Sequence, residues 1–463
     1  MQNSTVEAVA EVKALYETSA PQWPQVHFFN TDYGWHSLVA DGSQIYGVAP
    51  DLLAEFTTAT PADPARVNQL LATSGLLSES SKFMADLAPL TSPPLRSLSL
   101  AVAQKCNLGC TYCYAQEGDF GGMAKSMSWD VAKAAVERLF AEAQPGDRVN
   151  LAFMGGEPLI NRPLVRSATQ LAMALAKERQ VKVGFGITTN GTLLMVEDSE
   201  FFERYGFAVT VSLDGVGATH DRLRPFKGGA GSYDKILANL EPLLAQQRRM
   251  QVSARVTVTP QNLNLRETLD QLIGLGFHSV GFSPMLSSPT GNAQMETADL
   301  DIMLQQMIEC GQAFEQHAIA GRRYPFSNIT MALQQIHRGT HRPYPCGAGV
   351  GYMGVSADGG LWACHRFVND AEGWMGDLNG GLNREAQNQW LAARQVDRQE
   401  PCNRCWARYL CGGGCHHEVI HRGRPACDYI RGWLHFCLQT YVHVLEQRPN
   451  YFESVQPPSQ ARS

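Results

Sequence analysis

Short apolar runs alternate with amphipathic stretches over residues 96–285 of this chain. A short apolar run between turn residues is typical of a buried strand, whereas apolar residues recurring every three or four positions are typical of a helix. Val131, Ala135, Leu139 and Ala143 follow the helical pattern. The patterns predict strands at Ser97–Val102, Val149–Met154, Val181–Ile187, Phe207–Ser212, Val252–Val258 and Ser279–Phe282, with helices at Asp130–Ala143, Leu164–Lys177, Tyr233–Gln246 and Leu265–Ile273.

This alternation predicts an α/β fold with a parallel sheet, because consecutive parallel strands need a crossover that a helix supplies. Six such repeats fit a partial (β/α)6 barrel. In barrels of parallel strands, functional side chains collect at the carboxyl ends of the strands. We therefore expect the chemistry of residues 96–285 at that end.

Four further regions flank this core. Residues 1–95 carry strand patterns at Val26–Phe29 and Gln44–Val48 around an Asp41-Gly42 turn, and helical patterns at Pro50–Phe56 and Pro64–Leu76. They predict a small α+β module. Residues 286–340 predict a helical connection. Residues 341–440 are rich in glycine and cysteine with little periodicity, so we expect metal ligation to order them. Residues 441–463 are interpreted as a C-terminal tail, disordered from 456 onward.

Composition and charge narrow the class of protein. The chain has 463 residues, of which 44% are hydrophobic and 18% charged, which is typical of globular domains with several cores. A net charge of −6 gives no indication of a nucleic-acid or anionic-membrane partner. Met1–Glu17 lacks the basic and apolar segments of a targeting signal, and no apolar run is long enough to span a bilayer. The expected location is the cytoplasm.

Twelve cysteines are distributed in clusters rather than singly. Three lie between positions 106 and 113, most others lie between 346 and 437, and Cys310 stands alone. Disulfides are unusual in a large chain without a secretory signal. Short, odd spacings therefore predict sets of metal ligands.

The first cluster has the form CxxxCxxC and directly follows the first predicted strand of the core. Cys106, Cys110 and Cys113 could wrap one face of a cubane iron–sulfur cluster and leave one iron open to another ligand. The alternative is a zinc site, although zinc knuckles usually offer four ligands in paired spacings.

With Tyr112 directly before its third cysteine, this motif resembles that of the radical S-adenosylmethionine (SAM) superfamily. The resemblance implies a catalytic 4Fe–4S cluster whose open iron chelates SAM. It implies reductive cleavage of SAM to a 5′-deoxyadenosyl radical that abstracts hydrogen from a substrate. An electron donor such as flavodoxin or ferredoxin is implied as a partner.

Polar residues at later strand ends match further motifs of that superfamily. Their alternative explanation is ordinary turn formation, helix capping or a solvated surface charge. The resemblance implies that the Gly-Gly-Glu-Pro motif holds the SAM amino group and that an arginine approaches the SAM carboxylate. The implied SAM-binding residues are Tyr112, Gly155, Gly156, Glu157, Thr189, Asn190, Ser212, Asp214 and Arg224.

The later cysteines resemble the SPASM extension of radical SAM peptide maturases. The resemblance implies two auxiliary 4Fe–4S clusters, which makes three clusters in all. Cys346, Cys364 and Cys415 would hold the first, and Cys402, Cys405, Cys411 and Cys427 the second. No fourth ligand of the first auxiliary cluster is identified, so a substrate thiolate could bind there.

Several alternatives stay open in this C-terminal region. The array also suits a double zinc ribbon. Cys437 is an alternative last ligand, although a buried structural role is expected for it. His416, His417 and His421 are expected to support ligands or lie at the surface. His365 stands where some maturases carry an acid–base carboxylate, which disfavours formylglycine formation.

The resemblance implies an enzyme that modifies a ribosomally made peptide or small protein subunit, forming thioether crosslinks from cysteine sulfur to carbons of Asp or Glu. Alternatives are carbon–carbon cyclisation, formylglycine formation, or a non-catalytic iron–sulfur or zinc protein. The segment from His27 to Asp51 weakly resembles the peptide-recognition module of such maturases, which adds a peptide strand to a sheet edge. Otherwise it is a cap that packs on the barrel.

Overall fold

The computed structural model of the chain describes residues 25–41, 43–58, 64–76 and 88–455. Three predictions fall outside the described residues: the absence of a targeting signal at Met1–Glu17, the Gly42 position of the first turn, and disorder in residues 456–463.

A small antiparallel sheet opens the described chain. Its strands are β1 (Val26–Thr31), β2 (Gly34–Val39) and β3 (Gln44–Gly47), in the order β1-β2-β3. The two predicted strands are confirmed, and β2, which the sequence patterns did not predict, lies between them. Helices α1 (Pro50–Thr58) and α2 (Pro64–Thr73) follow as predicted.

The six core strands predicted from the sequence are all present and parallel. The register pairs neighbours in the order β10-β9-β8-β7-β6-β4, and the short β5 (Lys125–Ser126) pairs antiparallel with β4. A partial (β/α)6 barrel is confirmed. The strands are β4 (Ser97–Gln104), β6 (Arg148–Gly155), β7 (Lys182–Thr189), β8 (Ala208–Ser212), β9 (Gln251–Val258) and β10 (Ser279–Pro284).

Helices connect these strands and cover the outer face of the sheet. The helix α3 begins where the Ser128 hydroxyl accepts a hydrogen bond from the Val131 amide, a regular N-cap. The α5 and α6 helices were not predicted. The connecting helices are α3 (Trp129–Ala141), α4 (Arg162–Arg179), α5 (Val196–Tyr205), α6 (Ala218–Leu223), α7 (Tyr233–Ala245) and α8 (Leu265–Gly274).

Along the core strands, buried apolar side chains alternate with small or polar ones. The apolar side chains form the outer face of the sheet, and the small or polar ones form its inner face. On β9, Val252, Ala254, Val256 and Val258 are at most 2% exposed and belong to the main core. The residues between them face the inside of the barrel, which we call the lumen. The main apolar core therefore lies between the sheet and the helices, and the lumen is left free for polar side chains.

The C-terminal half extends the same sheet. Strand β11 (Tyr352–Val355) pairs parallel with β4, and β12 (Gly360–Trp362), β13 (Trp374–Asp377) and β14 (Gly381–Leu382) continue antiparallel. The region expected to depend on metal for its order is thus also anchored by backbone pairing. Its helices are α9 (Thr297–Ile319), α10 (Ser327–His337), α11 (Arg384–Arg394), α12 (Arg408–Cys411), α13 (His416–Arg422), α14 (Cys427–Gln447) and α15 (Tyr451–Val455).

The long helix α14 passes the expected start of the C-terminal tail at residue 441 and ends at Gln447. Beyond it, Tyr451 and Phe452 are buried, and the Phe452 ring stacks on the ring of His337. Residues 441–455 are therefore packed structure rather than a tail. None of the helices in the described ranges is both long and apolar enough to cross a membrane.

Candidate active site and cysteine groups

The loop that carries Cys106, Cys110 and Cys113 leaves the carboxyl end of β4, where the barrel fold predicts a functional loop. Its backbone is fixed against the segment after α6: the Gly109 amide donates to the Pro225 carbonyl at 2.8 Å, and Thr111 donates to Leu223 at 3.0 Å. Burial raises the pKa of the Cys110 thiol to about 12; Arg224 opposes this shift, and Cys113 and Cys106 are close enough to add to it. The loop therefore gathers three thiols that metal binding would deprotonate.

The spacing of the thiols bears on which metal group they could hold. A tetrahedral zinc site places its sulfurs about 3.8 Å apart, because each Zn–S bond is about 2.3 Å long. In the part of the chain that the structure describes, the group of potential ligand atoms that all lie within 4.8 Å of one another is Asp370, His417 and His421, without a cysteine. Cys106, Cys110 and Cys113 therefore do not form a group of that size in this structure.

Gly155 and Gly156 bring the end of β6 directly against this loop. A Cβ atom on Gly156 would lie 2.3 Å from the Lys105 carbonyl oxygen, and one on Gly155 would lie 2.3 Å from that of Ala103. Gly155 also has a φ of 142°, which disfavours other residues. The two glycines therefore let the end of β6 approach the backbone around the cysteine loop closely, and their contact with SAM stays a prediction.

The Glu157 carboxylate is buried, and its oxygens are hydrogen-bonded to donors of the protein itself. It accepts hydrogen bonds from the Leu159 amide at 3.0 Å, the Thr189 hydroxyl at 2.8 Å and the Asn190 amide at 2.7 Å. Burial raises its pKa, and these donors oppose the shift. Glu157 thereby ties the ends of β6 and β7 together. The expected contact of Glu157 and Thr189 with SAM stays a prediction.

Asn190 reaches the first cysteine. Its Nδ2 atom lies 3.6 Å from the Cys106 sulfur and donates to the Asn107 side-chain oxygen at 2.9 Å. Hydrogen bonds to sulfur influence the reduction potential of iron–sulfur clusters. Asn107 was not predicted as a site residue, although its position directly after Cys106 was a signal.

Tyr112, Asp214 and Arg224 form a buried network beside the loop. The Tyr112 hydroxyl donates to the Asp214 carboxylate, and Arg224 Nη1 donates to the Tyr112 oxygen at 2.6 Å and lies 3.5 Å from Asp214. Asp214 also accepts from the Thr257 amide at 2.8 Å. The structure brings these three predicted residues together, and their polar groups are hydrogen-bonded or ion-paired with one another. Their contact with SAM stays a prediction.

His220 is a positioning residue that the sequence patterns did not single out. Its Nδ1 atom accepts from the Asp214 amide at 3.2 Å, and its Nε2 atom lies 3.1 Å from the Ser232 hydroxyl. Burial lowers its pKa to about 3, so it is neutral at ordinary pH. Ser212, the last residue of β8, is half-buried and lies two residues before Asp214 at the same strand end.

Cys346, Cys364 and Cys415 form a second group. Burial raises the pKa of Cys364 to about 12, and Cys415 and Cys346 are close enough to raise it further. Arg366 lies 3.8 Å from the Cys415 sulfur and forms a 2.7 Å ion pair with Glu418. The structure thus brings together the three predicted ligands of the first auxiliary cluster.

Cys402, Cys405, Cys411 and Cys427 form a third group. Burial raises the pKa of Cys402 to about 11; Arg424 opposes this, and the other three thiols add to it. Cys437 is fully buried on the same helix as Cys427, and burial alone raises its pKa. The geometry therefore groups Cys427, rather than Cys437, with the third set.

The histidines of the C-terminal region lie beside these groups. His421 Nε2 lies 2.7 Å from an oxygen of Asp370, and the His417 and His421 rings are 4.5 Å apart. His365 Nδ1 lies 2.8 Å from the Tyr352 hydroxyl, and burial lowers the pKa of His365 to about 4. His416 packs edge-on against Trp390. These contacts are consistent with supporting roles.

Comparison with known proteins gives the family of the core. Residues 100–273 match the Radical SAM superfamily. A serine-type anaerobic sulfatase-maturating enzyme from Klebsiella aerogenes is 25% identical over 354 residues, which cover 74% of this chain and 85% of that enzyme.

Two solved structures are similar in fold. Native anSMEcpe with bound AdoMet and Kp18Cys peptide superposes with a TM-score of 0.62 at 20% identity, covering 77% of this chain and 100% of that one. Streptococcus suis SuiB bound to precursor peptide SuiA superposes with a TM-score of 0.51 at 13% identity, covering 88% and 97%. These two structures show the same fold. The radical SAM match of residues 100–273, together with the similarity to the sulfatase-maturating enzyme, indicates that the chain is an enzyme.

Proposed function

We propose that this enzyme modifies a ribosomally made peptide or small protein subunit and joins cysteine sulfur to a carbon of Asp or Glu. The observation that carries the proposal is the group of Cys346, Cys364 and Cys415, which offers three thiols rather than four. A polynuclear cluster held by three cysteines leaves one position for a thiolate from outside the chain. A substrate cysteine is the donor that thioether formation needs.

The radical-generating site is assigned to the first cysteine loop. Cys106, Cys110 and Cys113 would hold a 4Fe–4S cluster, and the backbone at Gly155 and Gly156 would border the SAM amino group. When bound there, the cluster and SAM would supply the radical chemistry that removes a hydrogen atom from the substrate. Tyr112, Asp214 and Arg224 would border this site through their buried network.

Cys402, Cys405, Cys411 and Cys427 would hold a further 4Fe–4S cluster, for three clusters in total. The run Cys402–Cys427 resembles the maturation protein of quinohemoprotein amine dehydrogenase, which supports thioether formation over other outcomes. Similarity to a sulfatase-maturating enzyme over most of both chains supports a polypeptide substrate. An electron donor such as flavodoxin or ferredoxin would reduce the catalytic cluster.

The N-terminal sheet is proposed to receive part of the peptide. In the three-strand order, β3 is an edge strand, and an added peptide strand could pair with it. The opposite edge, β1, packs against α14: Gln439 donates to the Asn30 carbonyl at 2.9 Å, and Gln447 donates to the Tyr33 hydroxyl at 2.6 Å. A peptide added at β3 would therefore leave the docking of the module intact.

The test incubates the reduced, reconstituted enzyme and SAM with the products of neighbouring genes and measures peptide mass. Each thioether removes two hydrogens, and the cysteine involved becomes resistant to alkylation. Loss of two hydrogens with all thiols still alkylatable and no aldehyde formed would indicate carbon–carbon cyclisation. The same mass loss with a new aldehyde would indicate formylglycine from serine, and loss of sulfur would indicate formylglycine from cysteine. Cys106→Ala is expected to abolish 5′-deoxyadenosine formation, and normal turnover by that variant would refute the assigned cluster.

A further inference from the structure

Arg255 is a charged residue inside the barrel that none of the assigned roles uses. It lies on β9, where its neighbours Ala254 and Val256 face the helices, so its side chain points into the lumen. The guanidinium is accessible to solvent, yet burial within the lumen lowers its pKa. A cation therefore projects into the lumen and stays accessible to a ligand there.

The surrounding lumen wall is small and uncharged. In the carboxyl-terminal halves of β7 to β10, Arg255 is the one charged side chain among the inward positions. Glycines and hydroxyl residues occupy the others, which leaves space in front of the guanidinium. These positions are Gly186, Thr188, Thr210, Ser212, Thr257, Gly281 and Ser283.

Among the described residues, few acidic groups can neutralise the charge of Arg255. Its Nη2 atom donates to the Ser283 hydroxyl, which is a neutral acceptor. Glu418 is the acidic group that interacts electrostatically with Arg255. Its carboxylate already forms an ion pair with Arg366 at 2.7 Å. A lumen-facing guanidinium whose hydrogen-bond partner is neutral can take an external anion as its counter-ion.

The position of Arg255 relates it to both proposed centres. In the sheet register it is paired with Ser212 on β8, two residues before Asp214 of the network beside the first cysteine loop. On its other side, Glu418 belongs to α13, the helix that begins directly after Cys415. An anion on Arg255 would therefore lie between the cysteine loop and the group that contains Cys415.

We propose that Arg255 binds the side-chain carboxylate of an acidic substrate residue in the lumen and thereby selects Asp or Glu as the acceptor of the crosslink. A guanidinium fork holds a carboxylate in a defined orientation, which would fix the adjacent carbon for hydrogen removal. This inference rests on the proposed function, because it names the acceptor of that reaction.

The test measures binding of a small probe to the anaerobically reconstituted, unreduced enzyme saturated with SAM. The probe is N-acetyl-L-glutamic acid α-amide, whose one carboxylate is the side chain, and the reference is the matching glutamine amide. Calorimetry should detect binding of the glutamate probe and no binding of the glutamine amide. Arg255→Gln should weaken its affinity by at least about thirtyfold, and Arg255→Lys by less, because one charge remains without the fork.

Arg148→Gln is the matched control, because Arg148 lies at the opposite, amino-terminal end of the lumen on β6. It should bind the probe as the wild type does. Equal affinity of Arg255→Gln, equal binding of the glutamine amide, or an equal loss in Arg148→Gln would overturn the inference. So would a comparable loss of SAM affinity in Arg255→Gln, since Arg255 would then belong to the SAM site. Iron content and the melting temperature of each variant establish that it is folded.

The same samples separate this inference from the proposed function. Failure of the wild-type enzyme to bind or cleave SAM would contradict the proposed function, and the probe titration on the SAM-free protein would still test Arg255. Cleavage of SAM without any preference for the carboxylate probe would contradict the role of Arg255 alone.

Discussion

His27 Nε2 and His435 Nδ1 lie 2.9 Å apart, so β1 of the N-terminal sheet meets the long helix α14 through two imidazoles. The His27 ring also stacks on Trp406, with ring centres 3.8 Å apart. Burial lowers the pKa of both histidines, that of His435 to about 4. The module is therefore docked by a pair that must stay neutral.

This pair predicts that docking weakens in acid. Because the folded-state pKa of His435 lies below its ordinary value of 6.5, stability is complete above about pH 6.5 and falls as the pH approaches 4. At pH 5, protonation of His435 alone should lower the free energy of docking by about 2 kcal/mol. Hydrogen exchange of β1 amides, corrected for the intrinsic effect of pH, measures it.

Replacing both His27 and His435 with Leu should remove most of this pH dependence, because burial lowers the pKa of each. His36→Gln on the same sheet should keep it. Unchanged protection of β1 between pH 7.5 and pH 5 in the wild type would contradict the prediction.

Cys427 and Cys437 lie on one helix and should respond differently to substitution. Cys427 belongs to the third cysteine group, and Cys437 is packed in the apolar core. Cys427→Ala should therefore lower the iron content of the reconstituted enzyme by about four atoms per chain. Cys437→Ala should keep the iron and lose about 1 kcal/mol of stability from the smaller side chain. The opposite result would reassign the last ligand.

Gly156→Ala should disrupt the first cysteine loop. Its new Cβ would lie 2.3 Å from the Lys105 carbonyl oxygen and 2.9 Å from the Gly118 Cα, and neither backbone atom can move cheaply. We expect the free energy of unfolding to fall by about 1–3 kcal/mol and SAM cleavage to be strongly reduced. Gly228→Ala, where nothing lies within 4 Å of the new Cβ, is the control. Equal activity of the two variants would show that the close approach is not needed.

Asp214→Asn should destabilise the core of the site. The substitution leaves Arg224 buried without its carboxylate partner, and removing one member of a buried ion pair costs about 3–5 kcal/mol. Denaturant unfolding under anaerobic conditions measures the change. Asp234→Asn, an exposed carboxylate in the first turn of α7, should change stability by less than about 0.5 kcal/mol. A similar small change for Asp214→Asn would mean that Arg224 finds another partner.

The strands of the core could be predicted because their signal is local. Each apolar run, such as Val252–Val258, contains its own pattern, and the observed strand Gln251–Val258 differs by one residue. Strand β11 could not be predicted in this way. It has four residues, and its pairing with β4 joins positions about 250 apart in the chain.

Local patterns also could not say how the polar residues of the site are used. Glu157 matched a SAM-binding motif, but its carboxylate accepts three hydrogen bonds from β7 and its own turn, and those donors come together only in the folded sheet. The sequence offered even less indication of a role for Arg255, which is a single charged residue within an otherwise largely apolar strand. Its meaning depends on which face of β9 becomes the lumen.

By itself, the sequence determined the parallel α/β core and the three-thiol loop after its first strand, because periodicity and ligand spacing act over a few residues. Tertiary structure decided how the later cysteines are grouped, that Cys427 rather than Cys437 joins the third group, and that Arg255 faces the lumen among uncharged neighbours. These outcomes depend on packing between distant segments, since burial and charge at one residue are set by side chains that only the complete fold brings near it.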